Sequence, residues 1–135
     1  MTRAGLKIVD TNVITRIIVQ DDPDQTAAVE ALLHERLFVP PTVLLETVWV
    51  LSSVYRMERR RIADALSHLL QAPAIEVDTP DLLLWAIERF RAGADFGDMM
   101  HLIGGKGGEA FVTFDKGVAK AARSGSPVPV VTLRG

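Results

Sequence analysis

Four carboxylates in this chain each stand beside a different apolar run. They are Asp10 after LKIV, Glu46 after FVPPTVLL, Asp98 after FRAGADFG and Asp115 after AFVTF. Where such runs form parallel strands, the carboxyl ends of the strands share the sheet edge at which open α/β folds bind ligands. Three of the four acids would then lie near that edge, so we expect them to converge.

Convergent carboxylates need a positive charge between them. Without one, they repel each other and hold protons at neutral pH. A divalent cation is the simplest such charge. The chain has no cysteine, and oxygen-only ligands favour Mg²⁺ or Mn²⁺. The histidines, His34, His68 and His101, are too scattered to form a zinc motif. The pattern therefore predicts a metal-dependent phosphoryl-transfer site.

The composition is typical of one folded domain, which we expect to span residues 1–135. Hydrophobic residues make up 48% and charged residues 24%, which excludes disorder. No apolar run reaches membrane-spanning length, and none before Asp10 is long enough for a signal peptide. We therefore expect a cytoplasmic protein without a membrane partner. A net charge of −2 argues mildly against nucleic-acid binding, so any such surface must be local.

Strand and helix patterns alternate along the first half of the chain. Asn12 and Asp24 are the predicted caps of the two helices after the first strand. Pro41 or Thr42 is predicted to open the third helix, with Glu46 in its early turns. The strands of this half are predicted at residues 6–9, 37–39 and 75–77.

The second half continues the alternation. Thr79 and Pro80 are the predicted cap and first residue of a helix that continues over residues 81–92. Asp95 is predicted to cap the next helix, which places Asp98 in its first turn. The glycine-rich segment 104–108 is read as the end of that helix, and strands at 110–114 and 128–133 flank a short helix at 116–123. The order predicts a three-layer α/β/α sandwich around a mostly parallel five-stranded sheet.

Several motifs resemble those of the PIN-domain nucleases, and most closely the VapC-type toxins of bacterial toxin–antitoxin pairs. The matching segments are DTNVI at 10–14, LLETVWVL at 44–51, ADFGDMMH at 94–101 and VTFDK at 112–116. Each motif alone is weak, but the four together have the order and spacing of the family. The resemblance implies the strand order 3-2-1-4-5.

The resemblance also implies a function and a set of site residues. It implies an endoribonuclease dependent on Mg²⁺ or Mn²⁺ that cuts RNA, often transfer or ribosomal RNA, leaving a 5′-phosphate and a 3′-hydroxyl. A small cognate antitoxin of the VapB type would neutralise it, and the toxin would form a homodimer. Asn12 and Thr113 match positions that orient acids or substrate. The acidic metal-binding cluster carried over by motif is Asp10, Glu46, Asp98 and Asp115.

Two departures from the family pattern stand out. Met99 follows Asp98 where many relatives carry alanine, and the chain is acidic overall. The first departure alters packing beside the predicted pocket. The second leaves RNA binding dependent on a local basic surface, for which the concentrated candidates are Arg56, Arg59, Arg60 and Arg61.

Other interpretations of these residues stay open. Glu46 could form a salt bridge to an arginine, Asp115 could cap a helix, and the arginines could be a solvated helix junction. A phosphatase of the haloacid dehalogenase type needs a second aspartate two positions after Asp10, where this chain has Asn12. The remaining rival is a catalytically silent α/β metal-binding or interaction domain.

Overall fold

A computed structural model describes residues 5–135, so the first four residues of the predicted domain lie outside the described part. The chain divides into two compact units, Met1–Asp78 and Thr79–Gly135, here called unit 1 and unit 2. Each unit alternates short parallel strands with helices, as the sequence predicts.

Unit 1 contains three strands and four helices within its described residues. The strands are β1 (Leu6–Ile8), β2 (Arg36–Phe38) and β3 (Ile75–Glu76). The helices are α1 (Thr11–Ile18), α2 (Pro23–Leu32), α3 (Pro41–Ser53) and α4 (Arg59–Gln71). Strand β2 pairs in parallel with both β1 and β3, so the order is 3-2-1.

Unit 2 carries the remaining elements. The helices are α5 (Pro80–Arg91), α6 (Phe96–Gly104) and α7 (Lys116–Ala122). The strands β4 (Phe111–Thr113) and β5 (Val130–Thr132) form a second parallel ladder. The prediction of one five-stranded sheet differs from the structure in one respect, because the described strands form a three-stranded and a two-stranded ladder. Each strand has at most three residues, so the apolar pattern identifies strands without fixing every pairing.

Apolar burial explains why the helices form where they do. Ile14 on α1, Leu51 on α3 and Leu66 on α4 are almost wholly buried in unit 1. In unit 2, Met99 and Leu102 lie three residues apart on α6 and are both fully buried. Residues at this spacing share one helix face, so α6 packs its apolar face into the core and turns its other face to solvent. Met99 thus fills the core directly beside Asp98.

Two predicted helix caps are wrong. Asp10, not Asn12, caps α1, since its Oδ1 accepts a hydrogen bond from the Val13 amide at 3.1 Å. Asp22, not Asp24, caps α2, because Pro23 occupies the first helical position and the residue before a proline favours an extended backbone. Asn12 therefore lies inside α1.

The predicted start of α5 is confirmed at Pro80, but Thr79 makes no side-chain capping bond and has a left-handed backbone with φ of 46°. The predicted cap of α6 is also confirmed, because the Asp95 carboxylate accepts a hydrogen bond from the Asp98 amide at 2.9 Å. None of the helices in the described part of the chain is long and apolar enough to cross a membrane.

Candidate functional site

The first pair of predicted acids lies in unit 1. Asp10 follows β1 and caps α1, where it is exposed and uses one carboxylate oxygen for the Val13 amide. Glu46 is exposed on the early part of α3 and accepts a hydrogen bond from the Thr11 hydroxyl. Thr11 is the neighbour of Asp10 in the sequence, so this bond holds the Glu46 side chain beside the turn that carries Asp10.

Thr11 is a site residue that sequence reasoning missed. The Asp-Thr-Asn motif drew attention to its first and third residues, while the middle residue supplies the hydroxyl that orients Glu46. The two partners are 35 positions apart, and only the packing of α1 against α3 brings them together. The Asp-Thr-Asn motif could have pointed to Thr11. It could not have pointed to Glu46 as the residue that Thr11 contacts.

The alternative of a salt bridge from Glu46 to an arginine is not what the structure shows. Its carboxylate accepts from a neutral hydroxyl, and Glu46 is exposed, so no buried charge has to be neutralised. Asn12 is also exposed and lines a groove of about 520 Å³ between α1 and α2. Within the part of the chain described, its side chain makes no hydrogen bond to an acid.

The second pair of acids lies in unit 2. Asp98 occupies the first turn of α6 and is half-buried. Asp115 follows β4 and caps α7, since its Oδ1 accepts from the Gly117 amide at 2.7 Å. The Thr113 hydroxyl accepts from the Asp115 amide at 3.0 Å and fixes the backbone at this acid. The capping interpretation of Asp115 is therefore correct, and capping leaves its second oxygen for another ligand.

Electrostatics show that Asp98 faces like charges. Burial raises the pKa of the Asp98 carboxyl above its ordinary value, and the negative charges of Asp95 and Asp115 raise this pKa further. His101 opposes part of the shift, while its ring stacks on Phe111 with centroids 6.4 Å apart. The arrangement holds anionic groups at a place where their mutual repulsion favours a bound cation.

The four acids form two pairs, and the oxygen ligands of each pair have the chemistry that a hard divalent cation prefers. Within residues 5–135, no three His, Asp or Glu side chains gather as a metal-binding group. Mg²⁺, however, is commonly held by only one or two carboxylates, with waters and substrate phosphates completing its shell. Asp10 with Glu46 in unit 1, and Asp98 with Asp115 in unit 2, each offer that number of oxygen-bearing side chains. The donor chemistry therefore suits Mg²⁺ or Mn²⁺.

The arginine cluster lies where α4 begins. Arg56 has a left-handed backbone, with φ of 52°, in the connection after α3, while Arg59, Arg60 and Arg61 form the first turn of α4. All four side chains are exposed. The positive end of the helix dipole disfavours cations in a first turn, so the α4 helix itself gains nothing from three arginines there.

A comparison with protein families decides the assignment. The family model described as PIN domain matches residues 7–124, which is well over half of the chain and reaches into both units. The chain belongs to the PIN domain family. PIN domains are generally metal-dependent nucleases, and the predicted α/β fold with parallel strands is confirmed as PIN-like. No curated protein and no solved structure matches the chain significantly.

Proposed function

We propose that this PIN domain is an endoribonuclease dependent on Mg²⁺ or Mn²⁺ whose ligands are Asp10, Glu46, Asp98 and Asp115. The family match supports a nuclease at the general level. The observation that carries the finer assignment is the grouping of Asp98 with Asp95 and Asp115, since burial first and then these two negative charges raise the pKa of the Asp98 carboxyl. A bound divalent ion supplies Lewis-acid chemistry, making water nucleophilic and neutralising charge at the scissile phosphate.

The chain's own residues have distinct parts in this proposal. Asp10 and Asp115 each use one oxygen to cap a helix, which fixes the direction of the other oxygen. The Thr11 hydroxyl orients Glu46, and Thr113 fixes the backbone of Asp115. The negative charges of Asp95 and Asp115 repel the Asp98 carboxylate, and a bound cation would offset this repulsion. Hydrolysis requires no protein nucleophile and leaves a 5′-phosphate and a 3′-hydroxyl.

The direct test is RNA cleavage by the purified chain with and without Mn²⁺. Asp98→Asn is expected to lower the rate at least about a hundredfold, because a neutral amide cannot offset the charge of a bound cation. Asp81→Asn is the matched control, since Asp81 also lies in a first helical turn, that of α5, but is exposed. Unchanged cleavage by Asp98→Asn would refute the assignment.

Asp10→Asn and Asp115→Asn complete the set. Asparagine caps helices about as well as aspartate, so both variants keep α1 and α7 while losing a charge. We expect both to lose Mn²⁺-dependent cleavage with little change in thermal stability. Sequencing the cut RNA ends would identify the target among transfer and ribosomal RNA and check for 5′-phosphates.

The biological part of the proposal is a toxin acting in the cytoplasm as a homodimer and inhibited by a VapB-like antitoxin. The exposed arginines Arg56, Arg60 and Arg61 are candidate contacts to RNA or to an acidic segment of the antitoxin. The expected result is growth arrest on expression of the chain alone and rescue by the product of the adjacent gene. A harmless chain that purifies without that product would contradict the toxin role.

A catalytically silent metal-binding or interaction domain is the second candidate. The interaction domain is favoured by the finding that no group of three metal-binding side chains gathers among the residues described. Calorimetric titration with Mn²⁺ separates the two functions. The nuclease predicts a saturable site that Glu46→Gln weakens, together with RNA cleavage, whereas the silent interaction domain predicts no cleavage at any Mn²⁺ concentration.

A further inference from the structure

Unit 2 contains a basic cleft that is separate from the acids. The cleft has a volume of about 230 Å³ and lies between the end of α5 and helix α7. Its charged lining residues are Arg89, Lys120 and Arg123, and the rest of the lining is alanine and glycine. Among the residues that the structure describes, no acid lines the cleft, so three cations surround one small concave space.

These three cations have no protein partner among residues 5–135. In the part of the chain that the structure describes, Arg89, Lys120 and Arg123 form neither an ion pair nor a side-chain hydrogen bond. Arg91, also in the last turn of α5, is different because its Nε lies 3.2 Å from the Glu88 carboxylate. The cations of the cleft are therefore available to an external anion.

The floor of the cleft is open to a close approach. Gly93 has φ of +118°, and no atom lies within 4 Å of the position that a β-carbon would occupy there. The other uncharged lining residues are alanines and Gly117, whose side chains are small or absent. A cleft lined by small residues and by long cationic side chains suits an anion that guanidinium and ammonium groups hold.

Helix electrostatics explain only part of this arrangement. Arg89 and Lys120 stand in the last turns of α5 and α7, where the helix dipole favours a cation. That effect acts on each helix separately. It does not explain why the cations at two helix ends line the same cleft as Arg123. Nor does it explain why the described lining residues include no acid.

We propose that this cleft binds a backbone phosphate of the RNA substrate, a role that rests on the ribonuclease function proposed above. Gly117 links the two sites, because it lines the cleft and its amide donates to the Asp115 carboxylate. A phosphate in the cleft thus lies beside the Asp98 and Asp115 pair, where it positions the neighbouring part of the RNA chain. The contact is to the backbone and is independent of base sequence.

The charge of the whole chain agrees with a local binding surface. With a net charge of −2, the protein has no general attraction for polyanions. The small volume of the cleft favours a single phosphate group over an extended acidic peptide, which needs a longer basic surface. Arginine and lysine donors around a tetrahedral anion are a common phosphate-binding combination.

The test measures binding of a fluorescent single-stranded RNA to the full chain in EDTA, where cleavage does not proceed. Lys120→Gln is the main variant because Lys120 is exposed. We expect its dissociation constant to rise about three- to tenfold and the slope of log affinity against log salt to become shallower by about 0.7. Arg89→Gln and Arg123→Gln should act in the same direction, and inorganic phosphate should compete.

Lys106→Gln is the matched control, since it removes the same charge from an exposed position of unit 2 outside the cleft. Equal losses for Lys106→Gln and Lys120→Gln would show a general charge effect and overturn the inference. Full RNA affinity in all three cleft variants, or no RNA binding by the unmodified chain, would also overturn it. The inference would also be overturned if the cleft variants lost affinity for a polyglutamate peptide but kept their affinity for RNA.

The experiment separates this inference from the proposed function. RNA binding that depends on the cleft, without any Mn²⁺-dependent cleavage, would refute the nuclease proposal and leave the phosphate site standing. If the chain cleaves RNA in the presence of Mn²⁺ but its cleft variants keep full RNA affinity, the phosphate site is refuted and the nuclease proposal stands.

Discussion

The charge of Asp98 sets a pH dependence of stability in the metal-free chain. Its pKa is raised by burial and then by Asp95 and Asp115, so the folded state binds the Asp98 proton more tightly than the unfolded state. Stability therefore falls as pH rises from the ordinary aspartate pKa through the raised one, and the penalty is complete above that window. Lowering the pH relieves it.

Asp98→Asn is expected to raise the melting temperature at neutral pH in EDTA, and this gain should vanish below the ordinary aspartate pKa. Thermal unfolding followed by circular dichroism across this pH range measures the effect. Asp81→Asn loses a similar first-turn charge without the repulsion, so it should be neutral or slightly destabilising. A greater gain for Asp98→Asn at acidic than at neutral pH would contradict the interpretation.

Thr11 offers a second prediction at the residue scale. Its hydroxyl donates to Glu46, and partners that orient metal ligands typically contribute 10- to 100-fold in affinity or activity. Thr11→Val keeps the side-chain shape and removes the donor, so Mn²⁺ affinity should fall about tenfold in calorimetric titration. Thr11→Ser retains a hydroxyl and should bind almost normally. Equal affinity in the two variants would remove Thr11 from the site.

At the scale of elements, the cap of α2 is a place where prediction and structure differ, because the sequence predicts Asp24 and the structure shows Asp22. Asp22 accepts hydrogen bonds from the amides of Asp24 and Gln25 at 3.1 and 3.2 Å. Asp22→Ala should therefore lower the free energy of unfolding by about 1 kcal/mol. Asp24→Ala should lose only about 0.3–1 kcal/mol through the helix dipole. Urea denaturation of both variants measures the difference in the free energy of unfolding. A larger decrease for Asp24→Ala would show that Asp24 is the cap of α2.

The element order could be predicted because periodic apolar residues determine which segments are helices. Ile14, Leu51 and Leu66 are buried as that periodicity requires. Cap positions could not be fixed, since DTN and DDPD each contain three residues of capping type and the backbone decides among them. The four acids were found from their places after apolar runs. The Thr11 and Glu46 contact and the cleft around Arg89 and Lys120 depend on helix packing, which has no local signature.

At the scale of the whole molecule, the family match reaches into both units, and each unit carries one of the acid pairs. The proposed function assigns both pairs to the same reaction. The proposal therefore predicts that Asp10→Asn in unit 1 and Asp98→Asn in unit 2 cause losses of similar size in Mn²⁺-dependent RNA cleavage.

The double variant tests this requirement. Groups that act as a unit in catalysis are strongly non-additive, so once one is removed the loss of the second has little further effect. Asp10→Asn combined with Asp98→Asn should cleave RNA about as slowly as either single variant, as measured by single-turnover rates at saturating Mn²⁺. Asp10→Asn combined with Asp81→Asn is the control and should match Asp10→Asn alone. If the two rate losses multiplied instead, each pair would contribute to the cleavage rate independently, and the proposal that both pairs serve the same reaction would be overturned.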